Sequence, residues 1–99
     1  MQQLIDVANE HNLYIICDEI YDQIVFDDKF TGIGSVAKDS PVILLNGFSK
    51  VHLMTGWRIG WIIVPKEHVR VVERIQQNMF ICASHASQIL ALGSFESKS

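Results

Sequence analysis

Two short apolar runs constrain what this chain can fold into. Leu13 to Cys17 is mostly apolar, with β-branched and aromatic members, and stops at Asp18 and Glu19; Val42 to Leu45 is unbroken and gives way to Asn46 and Gly47. Neither run alternates apolar with polar residues, so each reads as a strand buried on both faces, the pattern of α/β sheets with helices above and below. A third strand is expected from Trp57 to Val64. It would place Trp57, Ile59, Trp61 and Ile63 on one face and Arg58, Gly60, Ile62 and Val64 on the other, both largely buried.

Helical patterns surround these strands. Leu4, Val7, Ala8 and His11 fall on one stripe of a helix ending near Asn12. Between residues 20 and 41, the Asp27-Asp28 pair, Gly32, Gly34 and Pro41 predict a short helical turn and then an irregular connection. Asn46-Gly47 is a turn signal leading into Phe48, Ser49 and Lys50. Pro65 can open a helix that carries Val72, Ile75 and Met79 to about residue 80, and a last helix is expected around Ala86, Ile89 and Leu90. From Gly93 to Ser99 the sequence is polar and without period. The order implies an α/β layer structure. Three strands make a narrow sheet where about five or six are usual, so the sheet is expected to continue in sequence outside these residues.

With 99 residues, 48% of them apolar, one core is plausible. A domain of that length buries only about 60 to 70% of its unfolded surface, which leaves little stability for an open, cofactor-sized cleft. Eight basic and eleven acidic residues give a net charge of −3, with no basic stripe for nucleic acid. The opening residues lack a cationic flank and an apolar stretch, and the longest apolar-looking run, Ile59 to Pro65, is far below the roughly 18 residues of a membrane span. These features predict a soluble, cytoplasmic protein with neither nucleic-acid nor membrane partners. Cys17 and Cys82 fit no metal-ligand spacing and read as reduced core residues, and no metal is expected.

Four polar residues stand at strand ends or between strands: Asp18, Tyr21, Lys50 and Arg58. Ligands of open α/β sheets bind at the carboxyl ends of parallel strands, where Asp18 and Lys50 both fall. Taken singly, a lysine is nearly always a solvated surface group, an aspartate closing a strand caps a helix, a tyrosine fills a core and an arginine makes a surface ion pair. The pattern outweighs those readings. D-E-I-Y at 18 to 21 and S-K-V-H-L-M-T-G-W-R-I-G at 49 to 60 closely resemble the signature of class I and II aminotransferases, which are fold-type-I pyridoxal-phosphate enzymes. The resemblance runs from the opening helix to about Leu92.

That resemblance implies a part of the large, cofactor-binding domain of such an enzyme, a mixed sheet flanked by helices, with residues 1 to 99 holding no complete second domain. Lys50 would form the Schiff base with pyridoxal 5'-phosphate and then shuttle the proton between the substrate α-carbon and the cofactor C4′. Asp18 would pair with the pyridine nitrogen, Tyr21 would donate to the phenolic oxygen, and Arg58 would grip the phosphate. Arg58, set between Trp57 and Ile59 in the expected strand, wants a buried partner. Gly47 stands where the family often has a hydroxyl residue on the phosphate. Ser49 reads as a substitute or a turn residue, and His52 as a packed neutral side chain or a proton carrier. Glu19 would face solvent or a local partner, and Val51 and Leu53 would pack.

The family's phosphate loop, stacking aromatic and cofactor-binding asparagine would precede these residues, and its substrate-carboxylate arginine would follow them. The resemblance also leads us to expect an earlier strand between the strand of Asp18 and the strand of Lys50, and a roughly fourfold larger, homodimeric enzyme. The implied reaction, in amino-acid metabolism, moves an amino group between an amino acid and a 2-oxo acid. A lyase or decarboxylase of the same fold, a catalytically silent truncated chain, or an aminotransferase-like domain attached to a regulator are the alternatives.

Overall fold

The computed structural model describes residues 1–27, 29–37 and 40–96; Asp28 and the end of the polar tail lie outside them. Strand β1 (Ile15–Asp18) pairs in parallel with β2 (Val42–Gly47), from Ile15 opposite Val42 to Asp18 opposite Leu45. β2 then pairs antiparallel with β3 (Gly60–Ile63), from Leu44 opposite Ile63 to Gly47 opposite Gly60. The sheet is mixed, in the order β1-β2-β3.

This order overturns the expected strand between β1 and β2, which are direct neighbours. The connection from Glu19 to Pro41 is longer than the dozen residues a parallel crossover needs, so it can return the chain beside the strand it left. Asn46 and Gly47 are not a turn but the last two residues of β2. β3 is shorter than expected. Trp57 ends a 3-10 turn (Thr55–Trp57), and Arg58 follows in the left-handed conformation at φ 50° and ψ 51°, so neither belongs to the strand. All four residues of β3 are exposed rather than buried on both faces.

Helix α1 (Gln2–Glu10) buries Ile5 and Ala8, while Leu4 and Val7 are more than half exposed. The buried stripe is therefore turned by one residue, about 100°, from the expected one. Ile5 packs with Ile33, Ala37 and Leu44 in a core that Ile15, Cys17, Val36 and Val42 flank. α2 (Val69–Met79) follows Pro65 and a 3-10 turn at Lys66–His68. α3 (His85–Glu96) runs into the tail expected to lack period. In the tail Phe95 packs on Phe48 and His52, with ring centres 5.3 and 5.7 Å away, and earlier in the helix Ala91 packs with Phe48 and Met54 in a second core while Ser87 Oγ donates to the Trp57 carbonyl at 2.7 Å.

Helical cover of the sheet is uneven. Ile16, on the face of β1 away from Ile15 and Cys17, is 69% exposed. The accessible area is 7948 Å², against about 5,700 Å² for a self-contained monomer of 11.2 kDa. The molecule is a slab, 43 × 41 × 18 Å.

Candidate active site

Where β1 and β2 end, an open cleft of about 270 Å³ is lined by Asp18, Asn46, Gly47, Ser49, Arg58 and Gly60, among others. Asp18 is the last residue of β1, and its Oδ1 accepts from the Ile20 amide at 3.1 Å. It thus caps the following turn while forming part of the cleft wall. That turn carries Tyr21, whose ring centre lies 5.5 Å from Lys50 Nζ. Lys50 is half-buried in the bend after β2.

The loop that carries Lys50 is closed by its own backbone. Met54 donates to the Phe48 carbonyl at 3.1 Å, Leu53 to that of Lys50 at 3.1 Å, and Phe48 to that of Ile59 at 3.4 Å. Thr55 Oγ1 adds a 2.7 Å bond to the Ser49 carbonyl. Leu53 and Arg58 both hold positive φ, at 54° and 50°. Such conformations cost of order 1 kcal/mol outside glycine and persist where the surroundings impose them. Leu53 is 90% exposed, contrary to the expectation that it packs.

Among the described residues Arg58 has no buried partner of the kind a strand position would demand. It is exposed, and its Nη1 donates to the Thr55 carbonyl at 3.0 Å, a bond within its own loop that sets the guanidinium at the cleft. His52 packs rather than opening to the cleft, with ring centres 5.1 Å from Phe48 and 5.7 Å from Phe95. The structure therefore brings Asp18 and Arg58 to one cleft, and Lys50 to the Tyr21 ring, each next in sequence to a lining residue, Ser49 and Ile20.

Three features escaped the sequence. Asn46 Nδ2 donates to Asp22 Oδ2 at 2.9 Å, tying the end of β2 to the turn after β1. Gly47 and Gly60 face each other without side chains: a Cβ at Gly60 would lie 2.9 Å from the Asn46 carbonyl oxygen, and one at Gly47 would lie 3.0 Å from Gly60 Cα. Glu19 is buried, not solvated, and accepts from the Ile33 amide at 2.6 Å. A glycine on each side of the lysine loop, Gly47 and Gly60, was the available signal for that pair; a partner fourteen residues away leaves none.

Burial, then the neighbouring Glu19 carboxylate, raises the Cys17 thiol above its ordinary pKa of 9.0. Both cysteines are free, and Cys82 is exposed after α2 rather than in the core. Among the described residues no helix is long and apolar enough to cross a membrane, and no three His, Cys, Asp or Glu side chains gather as a metal site.

The mixed α/β sheet thus ends on a cleft lined by a carboxylate and a guanidinium, and the loops after its two parallel strands bring an amine over a phenol ring. The family model described as aminotransferase class I and II matches residues 1–97, so the chain belongs to the class I and II aminotransferase family. It is 38% identical to the aspartate aminotransferase of Thermotoga maritima over 97 residues, 97% of this chain and 26% of the relative. It is 42% identical to the (5-formylfuran-3-yl)methyl phosphate transaminase of Methanocaldococcus jannaschii over 96% of this chain and 26% of the relative. The crystal structure of the Thermotoga maritima aspartate aminotransferase superposes with a TM-score of 0.86 at 36% identity, covering 98% of this chain and 26% of that one. The chain spans about a quarter of the length of the curated relatives it matches. These relatives are named as aminotransferases or transaminases, and the family generally uses pyridoxal phosphate.

Proposed function

We propose that these residues are part of the large domain of a pyridoxal-phosphate aminotransferase and hold the cofactor through Lys50. The observation that carries this reading is the Lys50 amine 5.5 Å from the Tyr21 ring centre, beside a cleft lined by Asp18 and Arg58. The donor set suits the group: a primary amine for its aldehyde, a carboxylate for its ring nitrogen, a phenol for its ring oxygen and a planar fork for its phosphate. The glycine pair keeps bare backbone at the cleft.

When bound, pyridoxal phosphate supplies an electron sink for the substrate α-carbon. Lys50 would anchor it and would carry the proton to and from that carbon. Asp18 would keep the ring nitrogen protonated by proximity of opposite charge. Tyr21 would orient the ring oxygen, and Arg58 would hold the phosphate.

The reaction we assign is amino-group transfer between an amino acid and a 2-oxo acid. Relatives similar to this chain at 38 and 42% carry different substrate names, which supports a segment that holds the common cofactor and leaves substrate choice to residues elsewhere. The exposed apolar surface supports a homodimeric parent enzyme about four times larger, and two free thiols suit a reducing cytoplasm. Adding pyridoxal phosphate to the intact protein tests the reading. A visible absorption band lost in Lys50→Ala is expected; no band, or a band that survives the substitution, overturns it.

A further inference from the structure

Glu19 sits beside Asp18 yet takes no part in the site described above. It is 8% exposed, and burying a carboxylate is costly unless it is bonded. Its Oε1 accepts from the Ile33 amide at 2.6 Å, and the Cys17 thiol donates to the same oxygen at 3.7 Å. Cys17 and Glu19 thus lie on the core side of the strand end and Asp18 on the other, as extended backbone requires. The Glu19 backbone extends the sheet, donating to the Leu45 carbonyl at 2.9 Å, and its carbonyl accepts from Asp22 at 3.0 Å.

Ile33 belongs to the core, 1% exposed against Ile5, Ala37 and Leu44. The carboxylate therefore pins the far end of the 20–32 connection to the strand end that carries Asp18. Tyr21 and Asp22 lie on the connection so closed. A separate observation marks the same contact: a Cβ at Gly32 would stand 2.9 Å from Glu19 Oε2. Gly32 has an ordinary φ of −67°, so what it provides is room for the carboxylate and not an unusual backbone.

We propose that Glu19 is a positioning residue for the cofactor site, fixing Asp18 and Tyr21 through its bond to the Ile33 amide; this rests on the cofactor reading above. Glu19→Ala deletes the bond, Glu19→Gln keeps an acceptor oxygen, and Gly32→Ala pushes the carboxylate aside while leaving Asp18, Tyr21, Lys50 and Arg58 unchanged.

The test uses the intact protein, with pyridoxal phosphate affinity and the pH midpoint of the visible band as readouts. Amide exchange of Ile33 and residues 18–22 is measured in the cofactor-free form. Glu19→Ala and Gly32→Ala are expected to weaken cofactor binding about tenfold, shift the midpoint and speed exchange, with Glu19→Gln close to wild type. Thermal destabilisation with unchanged affinity and midpoint in Gly32→Ala would overturn the proposal, leaving Glu19 a structural residue. If Glu19→Ala does not fold, the comparison of Gly32→Ala with Glu19→Gln decides. A wild-type protein that forms no band overturns the cofactor reading itself, a different outcome from either.

Discussion

Lys50 Nζ lies 5.5 Å from the centre of the Tyr21 ring, although the two residues belong to different connections, one after β2 and one after β1. Parallel pairing of the two strands makes this possible, since it brings their carboxyl ends to the same edge. The contact predicts a split between two substitutions. Tyr21→Phe keeps the ring beside the ammonium and should retain cofactor binding while shifting the pH midpoint of the visible band. Tyr21→Ala loses both ring and hydroxyl and should weaken cofactor binding more than Tyr21→Phe does. Absorption titrations at several pH values measure both.

Arg58 is assigned to a phosphate, so its removal should be felt only by ligands that carry one. Arg58→Ala should weaken pyridoxal phosphate binding by roughly 10- to 100-fold and leave pyridoxal unchanged. Arg58→Lys should fall between, because an ammonium restores the charge without the fork. Calorimetric titration with the two aldehydes separates these outcomes.

Gly60→Ala should destabilise the intact protein by about 1–3 kcal/mol, the usual range for forcing atoms into occupied space, because its Cβ meets the Asn46 carbonyl at 2.9 Å. Gly34→Ala is the control: its nearest neighbour is a Leu44 methyl at 4.0 Å, and it should unfold near wild type. Denaturant unfolding compares them.

The Cys17 thiol is raised by burial and by Glu19, so the folded state favours the protonated form. Its contribution to stability is present below the ordinary value of 9.0 and is lost as pH climbs through the raised folded value. At pH 8, alkylation followed by mass spectrometry should modify exposed Cys82 well before Cys17.

Much of this was legible because burial leaves a strong mark on sequence. Residues 13–17 and 42–45 lack a polar face; 15–17 lie in β1 and 42–45 in β2, with Asp18 closing β1 and Lys50 three residues beyond the end of β2. Alternation misled at Trp57, whose spacing with Ile59, Trp61 and Ile63 imitates a strand. Arg58 breaks that strand by a left-handed turn, an outcome set by the bonds of the 48–59 loop. The first helix was found but its face was not, since Leu4 and Ile5 are both apolar and only packing on Ile33 and Leu44 chooses between them. The role of Glu19 depends on an amide fourteen residues away, beyond any local pattern.

The central claim is that Lys50 is the covalent anchor of the cofactor. Incubating the intact protein with pyridoxal phosphate, reducing with borohydride and mapping the peptides by mass spectrometry tests it directly. A pyridoxyl-phosphate mass increment on the peptide containing Lys50, absent in Lys50→Ala, is the predicted result. An increment on another lysine in the wild-type protein, or none at all, would contradict it.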